Sequence, residues 1–217
     1  GAAGGFLDRY GFPFTRGRLF FTMEEDRGQY DVPRNVFWAS GAALMLRRGA
    51  MEPDEPVFDE RYFMHMEEID LCWRLHRRGW TVACEPASTV YHLGGASLPK
   101  GDRKTFLNYR NNLLMLYRHL SPGAWRRLFP RRLALDAAAA ARALASGNVG
   151  EARAIGRAYA EAHRMKRTFD ADRPDREDSS VFPPYRHSVV VDYFARGRKT
   201  FAALPPDAFP LGFRSSE

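Results

Sequence analysis

Asp59-Glu-Arg-Tyr-Phe-Met-His-Met-Glu-Glu-Ile-Asp-Leu-Cys-Trp-Arg-Leu-His-Arg-Arg-Gly79 is the most informative stretch of this 217-residue chain. Turning 100° per residue from Glu68 places Met64, Leu71, Cys72 and Leu75 within about 60° of it. Asp70, Arg74, Arg77 and Arg78 fall on the other side, with Glu67 beside them. The spacing predicts an amphipathic helix ended by Gly79. On its polar face Asp70 and Arg74, four residues apart, are expected to make an ordinary surface pair. Glu68 is the anomaly, because a carboxylate on an apolar face is costly to bury as an ion. Two readings stand side by side. Burial raises its pKa and poises it as a general base, or the helix is half-buried and its dipole favours an acid in the first turn.

The flanks set this helix in a mixed α/β context. Residues 1–35 are loop-rich and punctuated by glycine, and residues 36–46 read as a short buried strand with a break at Gly41. After Gly79, residues 80–90 read as one or two strands and residues 91–95 as a tight loop. His92 lies at an exposed place from which a ring nitrogen could reach a metal, although a lone histidine is more often structural. Helical spacing then recurs over residues 105–120, 133–146 and 151–169. Residues 170–184 read as a loose polar linker, in which Asp170-Ala-Asp172 is solvated charge rather than a metal-diphosphate site. Residues 188–194 read as a late strand or the start of a helix.

Composition narrows the classes. Hydrophobic residues make up 45% and aromatics 13%, which is globular and excludes a chain disordered throughout. No apolar run approaches the roughly 18 residues that a membrane span needs. Arg9, Arg16 and Arg18 interrupt any signal-peptide pattern. Cys72 and Cys84 are too few for a disulfide framework, so a reduced, cytoplasmic setting is expected. The formal charge of +7 is uneven: residues 99–167 carry +11 and the remainder −4. A nucleic-acid polymer is not the expected partner, since no recognised motif is present and the aromatics sit mostly in apolar runs. Walker A and Rossmann fingerprints, a nucleophile elbow and a zinc-deaminase signature are all absent.

Taken in order, several motifs are familiar. Gly4-Gly-Phe-Leu-Asp8, Phe37-Trp-Ala-Ser-Gly41, the stretch from Phe58 to Arg74, Arg78-Gly-Trp80, Val90-Tyr-His-Leu-Gly-Gly-Ala-Ser97 and Asn108-Tyr-Arg-Asn-Asn112 together resemble family 2 glycosyltransferases. The nearest likeness is to their bacterial rhamnosyltransferase-like branch. The resemblance covers about residues 1–120 and implies the acceptor-side half of an α/β GT-A fold. Residues 121–217 would then be a helical extension with a proline-punctuated tail. It also implies inverting transfer of a sugar from a nucleotide-diphosphate donor to a glycan or lipid-linked acceptor. A divalent metal, Mg or Mn, would accompany the donor.

In such enzymes the second member of an acidic pair at the start of this helix is usually the base. Here the pair is Glu67-Glu68, so the role falls on Glu68, with Glu67 and Asp70 as its acidic neighbours. The family more often has aspartate there. Trp38, Ser40 and Gly41 match the strand lining the sugar pocket, and His92 matches a histidine that some members give to the metal. The family's nucleotide-binding half would precede Gly1, so this chain by itself is expected to be incomplete and inactive. The alternative is a non-catalytic module that keeps the half-fold and binds a membrane or partner. Within residues 121–167, Trp125, Leu128 and Phe129 interleave with Arg126, Arg127, Arg131 and Arg132. That pattern suits an anionic surface and a peripheral place on the inner face of the plasma membrane. A homodimer stands among the expected assemblies.

Overall fold

A computed structural model describes residues 2–92, 101–176 and 181–213. The chain is mixed α/β, and it divides into two compact units that are interleaved in sequence. One comprises Gly1–Phe58, Glu68–His92 and Asp178–Glu217; the other comprises Asp59–Glu67 and Leu93–Glu177.

The first unit opens with an antiparallel meander of four short strands: β1 (Gly5–Leu7), β2 (Pro13–Thr15), β3 (Arg18–Leu19) and β4 (Thr22–Met23). The glycine-rich entry is therefore a small sheet, with glycines serving its turns at Gly11 and Gly17, both at positive φ. A second, two-stranded sheet pairs β5 (Arg34–Val36) with β6 (Val82–Cys84). Between them runs α1 (Glu67–Arg77), whose first residue belongs to the other unit. Phe6, Phe14, Tyr185, Phe201 and Phe209 form an aromatic core, with neighbouring ring centroids from 4.8 to 6.5 Å apart.

Asp8 ties the N-terminal hairpin to the C-terminal segment of this unit. Its Oδ1 accepts from the Tyr10 and Phe12 amides, at 2.8 and 2.9 Å, while Oδ2 accepts from the Val189 amide at 2.9 Å. Val189 opens α5 (Val189–Phe194), so residues 188–194 resolve as a short helix, N-capped by Ser188. With three backbone amides bonded to this buried carboxylate, Asp8 has a structural role.

The second unit is helical: α2 (Asp102–His119), α3 (Pro122–Ala145) and α4 (Val149–Met165), followed by a 3₁₀ segment at Lys166–Asp172. Ser121 caps α3 with Pro122 at its first position, and Asn148 caps α4. Small residues on α4, Ala154, Ala158 and Ala162, are buried, as are Leu107 and Leu114 of α2. Asp136 is held inside by Arg132 Nε at 2.8 Å and by the Tyr159 hydroxyl at 2.8 Å.

Several sequence expectations are corrected. Residues 36–46 are not a buried strand: the strand ends at Val36, and residues 40–43 and 45 are exposed. The Ser40 hydroxyl accepts from the Ala42 amide at 3.3 Å and its carbonyl from the Ala43 amide at 3.0 Å. This local turn competes with a sheet ladder. Residues 80–90 hold one strand, within the one or two expected, whereas the alanine-rich helix begins eleven residues earlier than its composition suggested, at Pro122. Asp70 and Arg74 are not a surface pair, because both are buried. Arg74 Nε lies 3.0 Å from Asp70, and the same guanidinium donates to the Val57 carbonyl at 2.7 Å and pairs with Glu55.

Asp172 is not merely solvated either. It lies 2.7 Å from Arg61 Nη2 and 3.4 Å from Arg118 Nε, and both arginines also pair with Asp59. Asp170 accepts from the Tyr117 hydroxyl at 2.6 Å. In α3, Leu128 and Arg132 are buried and Trp125 packs on Tyr117 and Phe129. The exposed basic residues there are Arg126, Arg127, Arg131 and Arg142.

Candidate active site

The acidic pair occupies the first two positions of α1, as the family resemblance implies; the helical spacing that reached back to Met64 is corrected, because the helix begins only at Glu67. Both side chains are half-buried, and one carboxylate oxygen of each is out of contact with solvent. Burial pushes the Glu67 carboxyl above the ordinary glutamate range. The helix N-terminus favours negative charge at this end.

Within the first unit, Glu68 faces the turn at residues 40–43. A side-chain carbon built on Gly41 would lie 3.8 Å from the Glu68 Cβ, an ordinary contact distance. Position 41 thus lies beside the base of the Glu68 side chain, and no steric clash demands glycine there. One turn along the helix, the Cys72 thiol lies 3.5 Å from the Ala39 amide and fixes the same loop to α1. Burial pushes that thiol up to about 12, which makes it an inert packing group.

Trp38 is placed differently from an open sugar platform. Its indole N–H donates to the Phe6 carbonyl at 3.0 Å, and its ring covers Gly5 so closely that a Cβ there would lie 2.0 Å from Cε2. Gly5 and Trp38 also form an isolated antiparallel bridge, by which the loop after β5 joins the first sheet. Asp70 stands behind the pair in the buried network with Arg74 and Glu55. Although burial raises the Glu55 carboxyl, hydrogen bonds and charge from Arg74 and Arg78 hold it below the usual range.

Within the second unit, the residues just before the pair adopt a strained path. Phe63, His65 and Met66 have φ of 66°, 71° and 74°, a left-handed conformation that side chains other than glycine, asparagine and aspartate rarely adopt. One side chain holds it. Asn111 Nδ2 lies 2.8, 2.7 and 2.8 Å from the carbonyls of Tyr62, Met64 and His65. Arg110 Nη2 adds a bond to the Tyr62 carbonyl at 2.9 Å, and its Nε donates to Asn111 Oδ1 at 2.8 Å. Asn112 reaches the Met66 sulfur at 3.8 Å, and Arg132 donates to Asn112 Oδ1. The Asn108–Asn112 motif, which sequence reading could only match to a pattern, thus acts as a clamp on the loop leading into α1. The signal was the run of amides in a helix interior, where asparagine is disfavoured unless it has a task.

His92 is exposed. The residues completing its motif, 93–97, lie outside the described residues. Among the described residues, no group of three or more His, Cys, Asp or Glu side chains gathers to hold a metal.

A 59-residue stretch of the chain is 46% identical to a protein from Mycobacterium tuberculosis named N-acetylglucosaminyl-diphospho-decaprenol L-rhamnosyltransferase, matched in the CDC 1551/Oshkosh and the ATCC 25618/H37Rv strains. That stretch is 27% of this chain and 19% of the relatives, so the match covers about a fifth of their length. The likeness is to a glycosyltransferase, and it is local. No protein-family profile matches the chain. No solved structure matches it.

Proposed function

We propose that this chain is the acceptor-side, base-bearing part of an inverting glycosyltransferase with a GT-A type fold. The observation that supports this best is the placement of Glu68 in the first turn of α1 against the Ser40–Gly41 turn, in a chain locally similar to an L-rhamnosyltransferase. On this reading Glu68 takes the proton from an acceptor hydroxyl. The oxygen attacks the anomeric carbon from the face opposite the leaving nucleoside diphosphate, and configuration inverts. The relatives' names point to an L-rhamnosyl group as the sugar moved. They also point to a polyprenyl-diphosphate-linked sugar as the class of acceptor.

Glu67 is a secondary group in this scheme. Burial raises its carboxyl above the ordinary glutamate range, so its charge beside the base is held at a cost. Asp70 supports the helix rather than the reaction, because its carboxylate is committed to Arg74.

The test is Glu68→Gln in the complete natural enzyme, supplied with a nucleotide-diphosphate L-rhamnose donor and a lipid-linked acceptor. Loss of about 10²–10⁴-fold in kcat, with KM little changed, is the expected result. Wild-type turnover by a variant with an unchanged far-ultraviolet spectrum removes Glu68 as the base and favours a binding module.

A further inference from the structure

The second unit holds a cavity of about 580 Å³ lined by Phe63, Asp102, Arg103, Phe106, Leu107, Arg110 and Arg157. Its composition is unusual in having three guanidiniums around two phenyl rings. Arg110 and Arg157 each lie 5.4 Å from the Phe106 ring centre, and Arg103 lies 5.6 Å from that of Phe63. Arg103 and Arg157 are exposed, and Arg110 is half-buried. Burial lowers the Arg110 pKa, the sign of a cation partly stripped of water.

One acid, Asp102, lines the cavity with the three arginines, which leaves the lining net positive. Asp102 is turned toward the first turn of α4, where a Cβ on Gly150 would lie 2.3 Å from its Oδ2. Glu161, which acts electrostatically on Arg110, is paired with Arg164 at 3.4 Å. Phe63 contributes the apolar wall from the strained loop, and it remains 66% exposed. A large apolar ring held in the open beside clustered guanidiniums suits a ligand with both characters.

We propose that this cavity binds the phosphate or diphosphate head of a lipid-linked molecule. The arginines would take the oxyanion by charge-assisted, paired hydrogen bonds. Phe63 and Phe106 would cover the first carbons of the chain. The choice of an isoprenoid chain rests on the glycosyltransferase reading, whereas the pairing of oxyanion with apolar group rests on the cavity. Because Arg110 also bonds the Tyr62 carbonyl and Asn111, a ligand here would bear on the clamped loop ahead of α1.

The experiment is titration calorimetry of the 217-residue chain with three probes: farnesyl diphosphate below its micelle-forming concentration, inorganic pyrophosphate and farnesol. Saturable one-to-one binding of farnesyl diphosphate, at least tenfold tighter than either other probe, is expected. The double variant Arg103→Gln/Arg157→Gln, which changes only exposed side chains, should weaken it at least tenfold. Arg126→Gln/Arg131→Gln removes the same charge from exposed positions on α3 and should leave it within twofold. Equal binding of pyrophosphate and farnesyl diphosphate overturns the lipid assignment. No saturable binding, or equal losses in both double variants, overturns the site. Neither result depends on turnover, so the site and the role of Glu68 stand or fall separately.

Discussion

Gly5 shows how one residue fixes a connection that no spacing rule would find. The Trp38 indole occupies the space where a side chain would begin, and the Gly5 amide donates to the Trp38 carbonyl at 2.9 Å. Adding a methyl group forces the ring or the strand to move. Gly5→Ala is expected to cost about 1–3 kcal/mol, read as a lower thermal midpoint, by the usual penalty for overpacking. Gly5→Ala combined with Trp38→Ala should cost less than the two single losses added, because the second change removes the clash. Strict additivity would show that the ring does not enforce glycine at this position. The same packing explains why Trp38, a plausible sugar platform from sequence, is half-buried and engaged through both its ring and its N–H.

At the scale of elements, α1 departs most from what periodicity predicts. Ile69 through Leu75 are all buried, so the helix is enclosed on nearly every side rather than amphipathic. The segment at residues 55–57 covers the face that a helical wheel assigns to water, and Arg74 binds it. Burying that charged face is tolerable because Asp70, Arg74, Glu55 and Arg78 form one connected network. The loop entering α1 is the other departure, and its geometry depends on α2. Asn111→Asp keeps the volume but removes the donor that three carbonyls share. It is expected to destabilise the chain by about 1–3 kcal/mol, the cost of leaving such groups unsatisfied. It should also raise amide exchange over residues 62–66. Exchange and thermal midpoint equal to wild type would show that donation by Asn111 does not hold the loop.

Across the whole molecule, buried ionisable groups set the response to acid. Asp59, Glu55 and Asp192 are each pushed up by burial, and that effect is outweighed by arginines, joined by the Tyr185 hydroxyl at Asp192, so all three carboxyls titrate below their ordinary range. A depressed carboxyl adds stability that is complete above its unfolded pKa, near 4, and is lost as pH falls through the folded value. His65 and His76 are lowered, chiefly by burial, so the unfolded chain takes up protons first on acidification below about pH 6.5. Both contributions lower stability in acid. Glu67, raised by burial, acts the other way, since its ionisation above about pH 4.3 weakens the folded state. The thermal midpoint should therefore begin to fall below about pH 6.5 and fall most steeply below about 4. Glu67→Gln should raise stability at neutral pH and steepen the fall. A midpoint that rises on going from pH 6 to pH 3 would contradict this assignment.

The sequence by itself determined the elements whose residues speak to near neighbours. The α1 stop at Gly79, the helical spacing after residue 101 and the mixed α/β class all follow from periodicity, capping and turn chemistry. Tertiary structure alone decided which polar residues are buried, that the residues after β5 form a loop against Glu68, and that Asn111 holds the strained entry to the helix. These outcomes depend on partners between 17 and 49 residues away, such as Val57 for Arg74 and Tyr62 for Asn111. A local pattern records which face is apolar, but not which distant segment will arrive to cover the other one.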